Sequence, residues 1–539
     1  MKKIKYFLTI FFLLSLVIQS CKKEEELGED PYGVGKQPLG IVISQTAPPV
    51  PATGLVGTTV TIKATGLMPY KDQLSLMFNG EKAEVISVSD TEITAKVPAT
   101  GSTGNISIAI GDQLVIGPQF TVTGLVQNDI TWKATAGTNG YVSQFYEMND
   151  GRALVLGSFT NYDNKGIVTP INRIARVSLD GDYDRTFRTG RGANGSLSRV
   201  IEIGGRFVIV GGFSGYNQRT ENISNITTLY PNGAVDTVYI RTERRPTLTD
   251  TITHKWFPKF NGGTNAFINR VYVHQGKILA TGDFRYYVKR DYRQPNYDNT
   301  RDTVILDSTE IRQILRFNLD GSLDKTYRFN TTTNKGGMSA NGPIDTYMHT
   351  DAANLEKLMV FGNFSTFDEQ PAVRILRLTA NGTKDATFNP GSGANGGIGS
   401  LTYNATTRKY LITGVFTQYN GKPANGIALL NEDGSLDESF SAKSYEGGYA
   451  YFARQISTGL IVVGGDFKKY DGVTRNGFMI LTPAGALAPG YNTTGPFSGI
   501  LSDVIETKSA DGKKALLLIG GFSRFDNEIH NSIMRVTIE

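Results

Sequence analysis

The sequence predicts an all-β protein in two parts, a small β-sandwich followed by a seven-bladed β-propeller. Three observations predict it. Sixty-one glycines in 539 residues, 10% aromatics and only 20 prolines suit strands joined by many tight turns. Over residues 39–123, apolar and polar residues alternate between closely spaced turn signals, as in a small sandwich. From residue 124 a glycine-rich motif ending in Phe recurs seven times, with most copies 51 to 55 residues apart. That period suits blades of four strands each.

The N-terminus reads as a targeting segment. Lys2, Lys3 and Lys5 form a basic start, and Tyr6 to Ile18 form an apolar run. Ile18-Gln19-Ser20-Cys21 then resembles the lipobox of bacterial lipoproteins, and Cys21 is the single cysteine of the chain. The resemblance implies a signal peptide over 1–20, lipidation at Cys21 and a membrane partner through the lipid anchor. Residues 21–38 read as a flexible lipidated tether. Within it, Lys22-Lys23-Glu24-Glu25-Glu26 resembles the export signal of surface lipoproteins in one group of Gram-negative bacteria, which implies the outer membrane with the protein facing the exterior. The formal charge of +5 falls to about +2 once the three leader lysines are set aside, which gives no argument for a nucleic acid partner.

In the sandwich, Val60–Ile62, Leu74–Phe78, Ser87–Val97 and Ile106–Ile110 read as strands. Asn79-Gly80 reads as a hairpin turn, because both turn residues need positive φ. The stretches Gly57–Leu67, Phe78-Asn79-Gly80 and Asp90–Pro98 resemble immunoglobulin-like IPT/TIG domains. That resemblance implies a spacer or binding module beside a membrane.

The propeller is predicted over 124–539. Its motif appears as Gly157-Ser158-Phe159, Gly211-Gly212-Phe213, Gly282-Asp283-Phe284, Gly362-Asn363-Phe364, Gly414-Val415-Phe416, Gly465-Asp466-Phe467 and Gly520-Gly521-Phe522. Within a blade, Ser198–Ile203 reads as the first strand and Phe207–Val210 as a buried second strand. Arg173–Leu179 and Ile314–Leu319 read as third strands. The turns Asp180-Gly181, Asp320-Gly321, Asn381-Gly382 and Asp433-Gly434 follow, and then a short fourth strand carrying Phe187, Tyr327, Phe388 or Phe440. These are hairpin turns, since they lack the spacing and terminal Glu of a calcium loop. Ile174-Ala175-Arg176-Val177, Asp433-Gly434-Ser435-Leu436-Asp437 and Gly465-Asp466-Phe467 resemble the bacterial delta-sixty propeller repeat, which brings no activity with it. The last copy stops after a third strand, while Asn128–Thr135 is a surplus piece with Trp132 in the place of the fourth-strand aromatic. An N-terminal strand is therefore expected to close the ring, removing exposed sheet edges.

Function is sought first in two insertions, residues 243–264 and 285–311. In a four-stranded meander both emerge on one rim, beside blade 3. Together they hold Arg244, Arg245, His254, Trp256, Phe257, Arg285, Tyr286, Tyr287, Lys289, Arg290, Tyr292, Arg293 and Tyr297. Aromatic planes stack on sugar rings and guanidinium groups fork onto carboxylates. The candidate ligand-binding set is Arg244, Arg245, Trp256, Tyr286, Tyr287, Arg290, Tyr292 and Arg293. The bland alternative is a pair of solvated loops. Catalysis has less support. His254, His274, His349 and His530 lack metal-type spacing, and there is no nucleophile elbow or phosphate loop, so no catalytic residue, metal or cofactor is assigned. The expected function is non-catalytic binding of a polysaccharide or an envelope protein at the cell surface. The alternatives are a polysaccharide hydrolase or lyase with carboxylates drawn from distant blades, and a structural adhesin.

Overall fold

The computed structural model describes residues 38–219, 222–243, 252–291 and 305–539. The leader, Cys21 and the tether up to residue 37 lie outside the described residues. The first part is two facing sheets. One orders Val42–Ile43, Thr59–Thr65, Glu92–Lys96 and Glu84–Val88; the other orders Thr53–Gly54, Gln113–Val122, Gly104–Ile110, Ser75–Phe78 and Glu81–Lys82. Alternation along Thr59–Thr65 turns Val60, Ile62 and Ala64 inward, where they meet Leu76, Phe78, Ile93, Ile106 and Phe120. Asn79 and Gly80 take φ of 47° and 83°, as the hairpin turn requires. The single strand expected over Ser87–Val97 is instead the end of one strand, Glu84–Val88, and the whole of the next, Glu92–Lys96. The Ser89 hydroxyl accepts the N–H of Glu92 at 3.2 Å and turns the chain there.

Among the described residues, seven antiparallel sheets follow. Their innermost strands are Val142–Glu147, Ser196–Ile203, Ile268–His274, Ile344–Met348, Ile398–Asn404, Ala450–Gln455 and Ser498–Lys508. We number the sheets 1 to 7 in that order. Each innermost strand packs against the next and the first against the last, so the strands stand around a central channel. The recurring glycine has a steric cause. A Cβ on the glycine two residues before the motif Phe falls 1.9 Å (Gly157) to 2.3 Å (Gly282) from a carbonyl oxygen at the entry to the innermost strand. The motif Phe is buried in every sheet, at 0–4% exposure; each burial contributes about 2 kcal/mol.

The expected fourth strand is much reduced in sheets 1 to 6. It survives as one bridge, such as Val177 to Tyr183 or Leu430 to Leu436. In sheets 1, 3, 4 and 5 an aspartate stops it. The Asp184 carboxylate accepts the N–H and hydroxyl of Thr186 at 2.8 and 2.6 Å and bends the chain out of the ladder. Phe187 therefore lies beyond the strand and packs under Gly233 of the next sheet, as Phe388 does under Gly434. Sheet 7 receives its fourth strand from the other end of the propeller, Val126–Asn128 pairing with Val536–Ile538. Trp132 then packs under Gly181 of sheet 1, in the place Phe187 takes under sheet 2.

A buried ion pair accompanies each of these turns where the third strand offers an arginine. Arg176 pairs with Asp184 at 2.7 Å, Arg316 with Asp324 at 2.6 Å, Arg377 with Asp385 at 2.7 Å, and Arg535 with Asp129. Each guanidinium also lies over the aromatic that follows the aspartate: Phe187, Tyr327, Phe388 and Trp132. The ring closure thus repeats the contacts within a single chain segment across 406 residues of sequence.

Burial works to raise the Asp184 carboxyl. Thr186 and Arg176 outweigh it and hold the group at about 2. Asp324 and Asp385 are held lower still, against burial, by their threonines, lysines and arginines. The folded values lie below the unfolded value of about 3.9. Their stabilisation is therefore complete above about pH 4 and is lost as pH falls toward 2. The urea midpoint is expected to hold between pH 7 and 5 and to drop steeply below pH 4. Asp385→Asn is expected to lower the pH 7 midpoint and to flatten that drop. An unchanged acid slope in this variant rules the pair out as a source.

The sandwich is docked on the propeller rather than strung beside it. Glu81 accepts the N–H of Thr474 at 2.7 Å, and Arg475 donates to the Thr100 carbonyl at 3.2 Å. The Thr103 N–H donates to the Thr493 carbonyl at 2.8 Å. Thr474 and Thr493 belong to the connections that emerge at the end of sheets 6 and 7 where the second strand leaves and the next blade begins.

Candidate functional site

Two places carry chemistry beyond the scaffold: the insertions of sheets 2 and 3, and the channel. The first insertion starts earlier than expected, as a hairpin of Thr237–Glu243 with Ile252–Pro258. Tyr239 faces Trp256 across it, with ring centroids 5.1 Å apart. Both rings are open to solvent, Tyr239 at 54% and Trp256 at 56% exposure. The Arg219 side chain holds the hairpin by donating to the Trp256 carbonyl at 2.6 Å. Sequence reasoning missed Tyr239 because it precedes the assumed start of the insertion. Its place opposite Trp256 is a hairpin register, readable only once the turn is fixed.

The second insertion is the hairpin Tyr286–Asp291 with Ile305–Glu310. Gly262–Thr264 pairs with Tyr287–Lys289, so the structure does bring the roots of the two insertions together. Tyr286 is half-buried, with Arg285 over its ring at 5.7 Å. Tyr287 must be withdrawn from the ligand-binding set. It is buried at 4% exposure and donates to the Gly321 carbonyl at 3.1 Å. It stands three residues after Phe284, where Tyr162, Tyr216, Tyr419 and Tyr470 make the same bond to the turn glycine of their own sheets. Arg290 is half-buried and donates to Ser224 Oγ at 2.7 Å, which ties the hairpin to sheet 2. Phe257 is buried. Arg244, Arg245, Tyr292, Arg293 and Tyr297 lie outside the described residues, as does the side chain of His254.

The residues lining the channel are not legible in the sequence. The channel encloses a cavity of about 550 Å³ lined by all seven innermost strands. In six of them one residue bulges near the start, and the following residue faces the equivalent place: Gln144, Arg199, Arg270, Ser400, Phe452 and Asp503. In sheet 4, Asp345 takes that place without a bulge. Bulged residues stitch the wall. Ser143 Oγ donates to the Leu197 carbonyl at 2.9 Å, Ser198 Oγ to Ile268 at 2.6 Å, and Ser502 Oγ to Val142 at 2.8 Å.

Arg270 grips Asp345 with two hydrogen bonds of 2.8 and 2.6 Å. Each keeps 28% of its side-chain surface open to the channel. Burial works to raise the Asp345 carboxyl, and the Arg270 charge overrides it and lowers it. Arg454 pairs with Asp503 at 2.5 Å. Arg199 is different. Its Nη1 donates to the Ser143 and Ser198 carbonyls, and among the described residues no carboxylate lies within ion-pair distance of it. Burial, with Arg270 nearby, pulls its pKa down to about 10, so it stays charged at neutral pH.

Beside the channel wall, Arg377 donates to the Tyr410 hydroxyl at 3.2 Å, and His349 bridges Tyr410 and Asp351 at 2.7 Å on either side. Burial lowers the His349 pKa against the pull of Asp351, which keeps the ring neutral. With Nδ1–H donating to Asp351, Nε2 accepts from Tyr410. Tyr410 and His349 are buried at 0% and 1%, and this chain braces sheets 4 and 5.

Residues 17–118 match the family model of a domain of unknown function, DUF5008. Residues 357–388, 407–440 and 457–489 match the family model of a second domain of unknown function, the DUF5122 beta-propeller. Those three stretches run from the second strand to the outer edge of sheets 4, 5 and 6, and the protein is an all-β propeller protein. No curated protein matches the chain. Among solved structures it is similar to the WD40 beta propeller domain of Doa1, with 12% identity, 77% of this chain and 97% of that chain covered, and a TM-score of 0.40. An auxiliary nutrient binding protein from Bacteroides ovatus is similar at 13% identity, 93% and 98% coverage and a TM-score of 0.30. Another from Bacteroides thetaiotaomicron is similar at 11% identity, 93% and 97% coverage and a TM-score of 0.31.

Proposed function

We propose that the protein is a non-catalytic, lipid-anchored binding protein of the bacterial cell surface that captures a glycan on the hairpin of sheet 2. The observation that carries this reading is the exposed Tyr239–Trp256 pair. Large aromatic rings left open side by side on a hairpin are unusual on a solvated surface. They offer the apolar planes on which sugar rings stack. The lipobox-like Ile18–Cys21 and the acidic run after it support the anchor and the outward placement. The docked sandwich supports a stand-off role for the first part, which is fixed to the propeller. A hydrolase is not favoured, because Asp345 and Asp503, the channel carboxylates, are each clamped by an arginine. A general acid needs the opposite environment, one that raises its pKa.

The test is a screen of the full chain in detergent against plant and host polysaccharides, with Trp256→Ala and Tyr239→Ala beside it. Each substitution is expected to weaken binding about tenfold or more, with the unfolding midpoint unchanged, since both rings face solvent. Binding that survives both substitutions removes the hairpin as the site. Binding to no glycan, but to an envelope protein, replaces the ligand class.

A further inference from the structure

We propose that the central channel is a second binding site, for a small hydroxylated monoanion of the sugar-acid type, with Arg199 as receptor of its carboxylate. The site is separate from the hairpin, and neither reading depends on the other. Charge is the first argument. Five charged side chains line the cavity, three arginines and two aspartates, which leaves a net charge of +1. Arg270 and Arg454 spend theirs on Asp345 and Asp503, so the unmatched charge is Arg199. A guanidinium withdrawn from bulk water with only carbonyl partners is costly, and a bound anion offsets that cost.

Geometry is the second argument. The two carbonyl bonds of Arg199 both run from Nη1 and hold the group in one orientation, leaving Nε and Nη2 for a ligand. That remaining edge is the fork that pairs with a planar carboxylate. In a ring of seven, sheet 2 faces sheets 5 and 6. Sheet 5 presents Gly399 and Ser400, the smallest pair in the wall, so there is room opposite the charge. The cavity of about 550 Å³ lies within the range of small-ligand sites. Ser400 and Tyr347 offer hydroxyl partners, and Tyr272, whose hydroxyl donates to the Thr346 carbonyl at 2.7 Å, offers a ring face, which together suit a sugar body better than a bare ion.

The experiment is calorimetric titration of the full chain in detergent with glucuronate, glucose and acetate. Glucuronate is expected to bind at least about tenfold more tightly than either, because only it satisfies both the arginine and the hydroxyl-lined wall. Arg199→Gln is expected to lose about tenfold or more for glucuronate and to leave glucose unchanged. Ser400→Phe fills the space opposite without touching Arg199 and is expected to lose glucuronate as well; it serves if Arg199→Gln does not fold. Trp256→Ala is expected to change nothing here, so failure of the hairpin reading and failure of this one are distinguishable. Equal affinity for glucose and glucuronate, no glucuronate binding, or full binding in both channel variants overturns the proposal. Acetate binding as tightly as glucuronate reduces the site to an anion hole and overturns the sugar-acid assignment.

Discussion

Replacing Arg535 with methionine is expected to destabilise the protein by about 3–5 kcal/mol, the usual effect of leaving one half of a buried ion pair behind. Arg535 and Asp129 keep only 1% and 2% of their side-chain surface exposed. The pair is the place where the start of the propeller holds its end. In sheets 1, 3 and 4, which carry the same clamp, the aspartate has a second cation. Asp184 has Arg152 at 3.0 Å, Asp324 has Lys277 at 2.9 Å, and Asp385 has Lys357 at 3.0 Å. Among the described residues Asp129 has Arg535 alone. Arg176→Met, the same deletion in sheet 1, is therefore expected to cost less, about 1–2 kcal/mol, because Arg152 still neutralises Asp184. Adding Asp129→Asn to Arg535→Met removes the buried stranded charge and keeps the acceptor for Thr131; Asp180, the other partner of Arg535 at 2.8 Å, is 40% exposed and stays solvated, so most of the loss is expected to return. Urea unfolding of the four proteins checks this. Equal losses for Arg535→Met and Arg176→Met would show that closure is no weaker than any other clamp.

The clamps also mark what sequence reading reached and what it passed over. Period, motif and ring closure were legible, because each leaves a local trace: the glycine before a buried Phe, the Asp-Gly turn, and Trp132 standing where Phe187 stands one blade later. The spacing of eight residues from Arg176 to Asp184 recurs from Arg316 to Asp324 and from Arg377 to Asp385, and was equally open to view. It links a strand to the turn beyond it, so neither element alone shows it. The channel was hidden for a different reason. Each innermost strand contributes one residue at the key position, and in six of the seven the bulge before it shifts the alternation by one, so Gln144, Arg199 and Asp503 look like ordinary polar residues of a half-buried strand. Their meeting is a property of the ring, and no window of one blade contains it. Tyr287 failed in the reverse direction. Its local company of Arg285, Tyr286 and Lys289 resembles a binding loop, while its spacing from Phe284 places it in the repeat.

That double identity makes Gly262 and Tyr287 the sharpest pair to alter together. The chain leaving the aromatic hairpin at Pro258 crosses the Asp320-Gly321 turn within a few residues. A Cβ on Gly262 falls 1.8 Å from the Gly321 carbonyl oxygen, the same atom that accepts the Tyr287 hydroxyl at 3.1 Å. Main chain on both sides cannot yield as a flexible side chain would. Gly262→Ala is therefore expected to force the crossing apart, costing about 1–3 kcal/mol for the overlap and about 1 kcal/mol more for the broken Tyr287 bond. Because this crossing anchors the hairpin root, glycan binding at Tyr239 and Trp256 is expected to weaken even where the propeller remains folded. Tyr287→Phe removes the hydrogen bond and keeps the ring. It is expected to cost about 1 kcal/mol in stability and to leave glycan affinity unchanged. The two variants separate position from contact. If Tyr287→Phe abolishes binding while the unfolding midpoint stays where it was, Tyr287 touches the ligand after all and its burial is relieved on binding. If Gly262→Ala alone weakens binding, the hairpin works because the propeller holds it rigidly in place.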